Sequence, residues 1–525
     1  MNLLDYFDKS AAAHADRVCA KDAIASRTYR DVQLASFRLA NVLRDLGVDP
    51  QTRVAILSEN TAAAFECVVG VLRAGCTWVP IGTNQSVDAT IAMLDGTDTQ
   101  VMLYSRRHAK KAHDAIARCR SLRHTICVDH EDGYSPALQS LLVEAAEADP
   151  RIEPSPNDVV TLLSSGGTTG KPKGVMMTNR CWEMVIASFM VRYQHDHAVH
   201  LVAAPITHAA GGAALALCAL GFTNVLIDGF EPTKVLSAIE RHRVTLLGLT
   251  PTAIRLLVKH PSAREHDYAS LRFFIYAGAP MPIETIKEAI DVFGPVMTTA
   301  FGQTETGHDV TFMSPIDLAT AHAGGDDVRL RSCGRPTPFV RVEVMSDRGE
   351  LLGPNEIGEI VVRGDQLMTG YYNDAAETAR ASRGGWHHTG DLGYRDRDGL
   401  FYLVDRKRDV IIRGGFNVFP SEIEAVIRQH AAVRDCAVVG LPDDDWGEVP
   451  AAVVEADSAA LDVGELQALC RSKLALLQLP RSFEIWPELP RGQAGKVSRS
   501  LVRERLVAGM PAAPREGHWP VNRTT

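Results

Sequence analysis

The stretch SSGGTTGKPKG, residues 164 to 174, sets four glycines, two threonines and two lysines behind the apolar run VVTLL. Glycine lets a backbone turn its N–H groups outward, threonine hydroxyls suit phosphate oxygens, and the ammonium groups of Lys171 and Lys173 act as point charges. Together they make a cradle for a polyphosphate. It is not a Walker loop, which needs a glycine at 165 and a hydroxyl at 172 where this chain has Ser165 and Pro172. It contains no GxGxxG either. A plain surface turn accounts for the glycines and lysines but not for the threonine pair and the proline.

The elements that must hold such a loop are legible as periodicity. Leu39, Val42, Leu43 and Leu46 fall on one helical face that Gly47 ends. RVAIL at Arg53, the helical stretch TAAAFECVVGVLRAG and the short run TWVPI then read as strand, helix, strand. The alternation returns in NVLID, RVTLLGLT, RFFIYAG and PVMTTAFG, which predicts sheets with helices on their faces and ligands at strand ends. Past Asp405 the texture becomes a small α+β pattern: EIEAVIRQ and ELQALCRSKL helical, CAVVG, EVPAAVVE and SFEIW extended. The expected division is therefore 1–405 and 406–510, followed by a polar tail, 511–525.

Size and charge narrow the function. A chain of 525 residues exceeds what one core fills, and 46% hydrophobic with 23% charged residues is an ordinary folded composition. Lys plus Arg (55) against Asp plus Glu (64) gives a formal charge of −9 without a basic block, which disfavours nucleic acid as a partner. The ten cysteines include no C-x-x-C pair, arguing for small buried hydrophobes in a reducing compartment over a disulfide framework or zinc knuckle. The opening MNLLDYFDKSAAAHADR carries acidic residues where a secretory signal has a basic end, so a cytoplasmic location is expected. AAGGAALALCALGF, from Ala209, reads as a buried helix and not as an integral membrane segment.

The loop SSGGTTGKPKG resembles the phosphate-loop signature of the adenylate-forming superfamily, which includes acyl- and aryl-CoA ligases, nonribosomal-peptide adenylation domains and beetle luciferases. Further family-like motifs follow in order: PITHAAG from Pro205, YAGAP from Tyr276, AFGQTE from Ala300, HTGD ending at Asp391, DRKRDVIIRGGFNVFPSEIE from Asp405, and LPRGQAGKVSR around Lys496. The resemblance implies a large N-terminal domain of helix-flanked sheets with a β-rich portion, and a smaller mobile α+β C-terminal domain. It also implies that a carboxylic acid attacks the α-phosphate of ATP, giving acyl-AMP and pyrophosphate, and that the acyl group then passes to coenzyme A.

Roles follow from the matched positions. The resemblance puts Ser165, Gly166, Gly167, Thr168, Thr169, Gly170, Lys171 and Lys173 around the departing phosphates. Gly278, Ala279, Pro280, Thr299, Ala300, Phe301, Gly302 and Gln303 lie on the adenine side, Asp391 and Arg406 at the ribose, and Gly414 and Gly415 beside the thiol. Thr304 contacts the α-phosphate and Glu305 binds Mg²⁺, a hard cation that takes oxygen ligands. Lys496 bridges carboxylate and α-phosphate as charge builds, and His208 lines the acyl pocket near the carboxylate. Taken singly, Thr304–Glu305 is an ordinary dipeptide, Asp391 a turn residue, His208 a packing histidine and Lys496 a solvated lysine. Gly166 departs from the Ser or Thr common in the loop, and Phe301 from the usual Tyr.

The acid is expected against Trp182, His208, Ala209, Ala210, Gly211, Gly212, Tyr276, Gly278 and Thr298, whose small, uncharged members suit an apolar tail, fatty or aromatic. Three functions stay open at this point: an acid–CoA ligase, a stand-alone adenylating enzyme that loads a phosphopantetheinyl carrier protein, and a nucleotide sensor or ATPase.

Overall fold

The computed structural model describes residues 2–165, 173–193, 196–207, 209–456, 461–491 and 497–509. Of the expected site residues, Gly166, Gly167, Thr168, Thr169, Gly170, Lys171, His208 and Lys496 lie outside the described residues, as does the tail 511–525. The chain divides into two compact units, Met1–Leu403 and Val404–Thr525.

The strand, helix, strand unit read from RVAIL and TWVPI forms as Arg53–Leu57, Ala62–Arg73 and Thr77–Pro80, with the two strands parallel. Thr61 starts that helix by accepting a hydrogen bond from the Ala64 N–H. These strands belong to a seven-stranded sheet ordered Gly370–Tyr371, Lys173–Thr178, Val159–Ser165, Thr77–Pro80, Arg53–Leu57, Val101–Tyr104, His124–Cys127. The later apolar runs build a nine-stranded sheet, whose strands Phe273–Ala277, Leu246–Leu249, Val199–Val202 and Thr223–Leu226 are parallel to their neighbours. A five-stranded sheet built on Arg341–Met345, Gly358–Arg363 and Trp386–Arg395 completes the unit.

Six strands and two helices carry the candidate site: β1 (Val159–Ser165), β2 (Lys173–Thr178), α1 (Asn179–Arg192), α2 (Ala209–Cys218), β3 (Phe273–Ala277), β4 (Met297–Gly302), β5 (Asp309–Met313) and β6 (Trp386–Arg395). Because side chains alternate along a strand, β3 divides its residues between two cores. Phe274 and Tyr276 pack with Val235, Ile254 and Ile286. Phe273 and Ile275 face the core that holds Val185, Phe189 and Leu215. Helix α2 is buried, as its uniformly apolar composition predicts, and its 10 residues reach about 15 Å, half a bilayer core. Among the described residues no helix is long and apolar enough to cross a membrane. All ten cysteines are free and buried.

The second unit is the expected α+β pattern: a five-stranded sheet with helices Pro420–Ile427, Val463–Lys473 and Arg499–Gly509. Arg499 cross-links its parts. Its guanidinium meets Glu424 Oε1 at 2.9 Å, Asp405 Oδ1 at 2.7 Å and Asp409 Oδ2 at 3.1 Å. Burial opposes its charge, yet Glu424 and Asp405 hold its pKa above the ordinary arginine value. The Glu424 and Asp405 side chains are only 6% and 2% exposed, so losing the cation would leave two buried carboxylates short of positive charge, Glu424 keeping Arg428 at 3.3 Å. Arg499→Ala should therefore cost about 3–5 kcal/mol, read as an earlier urea transition of the second unit in the full chain. An unshifted transition would remove Arg499 as the clamp.

Candidate active site

β1 and β2 pair antiparallel, and the last pair brings Ser165 beside Lys173. Lys173 is drawn in at the start of β2. Its Nζ lies 2.7 Å from Glu377 Oε1 and 5.2 Å from the centre of the Tyr371 ring. The Tyr371 hydroxyl donates to Glu305 Oε1 at 2.9 Å. Burial, and then the Glu305 charge, push the Tyr371 pKa well above its usual value, so the phenol stays a donor. Tyr371 and Glu377 thus tie Lys173 to Glu305. Sequence reasoning missed both; the cue was the cluster GYYND, Gly370 onward, whose strand Gly370–Tyr371 pairs with β2.

At the end of β4 the chain turns through Gln303 and the short 3₁₀ turn Thr304–Thr306 before returning as β5. Gly302 must be glycine, since a Cβ there would stand 2.2 Å from the His308 carbonyl oxygen. The Gln303 amide donates to Asp391 Oδ2 at 2.6 Å and to the Thr389 carbonyl at 2.8 Å. That joins the turn bearing Thr304 and Glu305 to β6. Glu359 supports β6 from behind, accepting from the Gly390 N–H at 3.1 Å and pairing with His388 Nδ1 at 3.1 Å. Gly278, with φ of 87°, Ala279 and Pro280 are exposed where β3 ends. Ala300 and Phe301 are buried, and the Phe301 ring packs among Val310, Cys333 and Val342, leaving 8% of the residue exposed.

Of the residues expected around an acid, Trp182 is fully buried and donates from Nε1 to Thr161 Oγ1 at 3.1 Å. The room left by two glycines of α2 is already used. A Cβ on Gly212 would stand 2.6 Å from the Trp182 ring, and one on Gly211 1.7 Å from the Ile206 carbonyl oxygen. Ala209 is exposed and Ala210 half-buried. Thr298 is buried with its hydroxyl donated to the Met313 carbonyl, and the Thr299 hydroxyl donates to the Tyr276 carbonyl at 3.0 Å. The Tyr276 ring belongs to the core on the far face of β3.

The near face of β3 is the less covered one. Phe273, Ile275 and Ala277 are each only half-buried beneath α1 and α2. Gly248, paired with Ile275, has nothing in front of its missing Cβ closer than 3.9 Å.

In the second unit Gly414 and Gly415, at φ of 57° and 83°, link the strands Ile411–Arg413 and Phe416–Val418. A Cβ on Gly414 would stand 2.8 Å from the Trp446 ring. Arg406 ends the strand Phe401–Arg406, and its N–H bonds to Asp405 Oδ1 at 2.8 Å. Arg491 and Val497 form an antiparallel bridge.

Comparison with known proteins shows the family. A family described as AMP-binding enzyme matches residues 7–372, and its C-terminal domain matches 422–496. A feruloyl-CoA synthase from an Amycolatopsis species is 36% identical over 485 residues, covering 91% of this chain and 94% of its own. An amide bond synthetase from Marinactinospora thermotolerans superposes with a TM-score of 0.87 at 29% identity, over 96% of this chain and all of the other. The o-succinylbenzoate CoA synthetase of Bacillus subtilis, solved with its acyl-adenylate intermediate, gives 0.83 at 28% identity over 98% and 99%.

The packing at Gly211 makes a stability prediction. Gly211→Ala drives a methyl into a backbone carbonyl and should lower stability by about 1–3 kcal/mol in chemical denaturation. A variant as stable as the wild type would show that the start of α2 can yield.

Proposed function

The chain belongs to the AMP-binding enzyme family, as an ATP-dependent, AMP-forming acid–CoA ligase, and from that premise we propose how its own residues divide the work. The observation that carries the assignment is the Gln303 amide, which joins Asp391 to the turn of Thr304 and Glu305. Asp391 accepts hydrogen bonds from the ribose hydroxyls, and Gly278, Ala279 and Pro280 lie against the adenine. Arg406 adds a cationic donor to the ribose.

A carboxylate is a poor electrophile, because its negative charge repels a thiolate and oxide is no leaving group. Its attack on the α-phosphate forms an acyl–oxygen–phosphorus bond and breaks the bridge to the β-phosphate, so pyrophosphate leaves and acyl-AMP stays. Lys171 and Lys173, with the N–H groups of the loop between β1 and β2, hold the departing phosphates. Thr304 donates to the α-phosphate. Glu305 fits Mg²⁺, because it is a carboxylate oriented by the Tyr371 hydroxyl and close to the β1–β2 pair that receives the phosphates. When bound there, Mg²⁺ offsets phosphate charge.

Lys496 presents its ammonium to the carboxylate and α-phosphate oxygens, where charge grows in the transition state. In the second half-reaction the thiol sulfur attacks the acyl carbonyl and AMP departs, with Gly414 and Gly415 lining the thiol's path and His208 beside the carbonyl.

The half-buried face of Ile275, Ala277 and Gly248 supports an acid with an apolar body, aliphatic or aromatic. We assign free CoA as the acceptor in preference to a carrier protein, and a cytoplasmic location, which ten free cysteines support.

A screen of carboxylic acids with MgATP should release pyrophosphate and AMP, followed by a CoA thioester once CoA is added. Release of ADP, or adenylate that reacts only with a phosphopantetheinylated carrier or an amine, would overturn the assignment. Lys496→Ala should abolish adenylate formation, by about a hundredfold or more, while acyl-AMP supplied ready-made still reacts with CoA. Equal loss in both half-reactions would deny Lys496 its role. Asp391→Ala should raise KM for ATP about tenfold or more, with a smaller change in KM for the acid, since charged hydrogen bonds are worth about 1.5–3 kcal/mol.

A further inference from the structure

Beyond the start of β3, on its near face, lie polar groups that the chemistry above leaves unused. Tyr193, just past α1, stands against Phe273 and Phe312 with ring centres 5.0 and 6.1 Å away. Phe273 begins β3 and Ala277 ends it beside Gly278, so about 13 Å of strand separates Gly278 from these rings.

Arg192, in the last turn of α1, lies over the same Phe312 ring at 5.0 Å. Its Nη1–H donates to Asp309 Oδ2 at 2.7 Å and its Nε–H to the Ser188 carbonyl at 3.3 Å. Asp309 pairs on its other side with His308, whose ring meets Phe189 edge-on at 4.9 Å. His200, across the sheet beside Leu246, has its Nδ1 taken by Asn224 at 2.8 Å.

Two donors are left over. The Arg192 Nη2 and the Tyr193 hydroxyl are buried and meet no hydrogen-bond partner among the described residues. The Arg192 side chain is 8% exposed and Tyr193 2%. Burying such groups unpartnered is costly, and a phenylalanine at 193 would fill the same space without the penalty.

The chemistry of the cluster selects among tails. Arg192 and Asp309 form a buried ion pair whose opposite charges offset each other. A carboxylate at the tail's end would add a buried negative charge without a counterion. A methyl end would leave both donors unpartnered. A neutral oxygen accepts from Nη2–H and meets the tyrosine hydroxyl without disturbing the balance.

We propose that Arg192 and Tyr193 read a neutral oxygen, a hydroxyl or carbonyl, at the far end of the acid's tail, an inference that rests on the acid–CoA ligase reading. The body of the acid is apolar and its tip is not.

The test uses the full chain and sets of acids, aryl and alkyl, of increasing length, matched within each set except for a hydroxyl, methyl or carboxylate at the far end. With kcat/KM read by pyrophosphate release, the hydroxyl member should exceed its methyl twin about ten- to a hundredfold at the length that reaches the two donors. Tyr193→Phe should cut that ratio about tenfold, with a thermal midpoint no lower than the wild type. A methyl or carboxylate preference at every length, or a ratio that Tyr193→Phe leaves alone, would overturn the proposal. If no acid releases pyrophosphate, the ligase reading itself falls, and this one with it.

Discussion

One side-chain amide carries the geometry of the first unit's site. Gln303 donates both to the Thr389 carbonyl and to Asp391, so the turn after β4 and the strand β6 cannot drift apart without losing two hydrogen bonds. Strand ends are where a sheet runs out of ladder partners and where side chains can converge on a ligand. Here the end of a strand in one sheet meets the middle of a strand in another, and a neutral amide joins them without adding a charge.

Buried charge is handled alike in the two units, to different ends. Arg499 is saturated by Glu424, Asp405 and Asp409, and its work is to hold the second unit together. Arg192 is paired on one side only, with Asp309, and keeps an N–H in reserve. A saturated ion cluster stabilises one arrangement; an unsaturated one can discriminate between ligands, because an ill-matched partner leaves its groups unpaired. Stability and selectivity are thus drawn from the same interaction in separate places.

Small residues mislead if they are read only as open space. Gly211 and Gly212 admit the Ile206 carbonyl and the Trp182 ring, whereas the opening in front of the sheet comes from Gly248, in a strand of ordinary apolar character. A missing side chain makes a cavity only when no neighbour moves into the gap, and that depends on packing partners far along the chain.

The alternation of short apolar runs with helix-length segments was enough to identify the sheets, the buried α2 and the α+β second unit, because period 2 and period 3.6 are local properties of the backbone. Ordered motifs were enough to identify the family, since phosphate, ribose and carboxylate each demand particular residue types at a turn or strand end. The pairings of Tyr371 with Glu305, Arg192 with Asp309 and Arg499 with Glu424 span 66, 117 and 75 residues. Nothing in the local pattern announces them; the packing of remote strands and helices decides which distant side chains become neighbours. The alternation along β3 likewise told that Tyr276 and Ile275 point to opposite faces, but only the placement of α1 and α2 decided which face is the less covered. Sequence determined the elements and the reaction class; the tertiary structure decided where the acid's tail ends, because an enclosed cluster exists only when remote segments pack against one another.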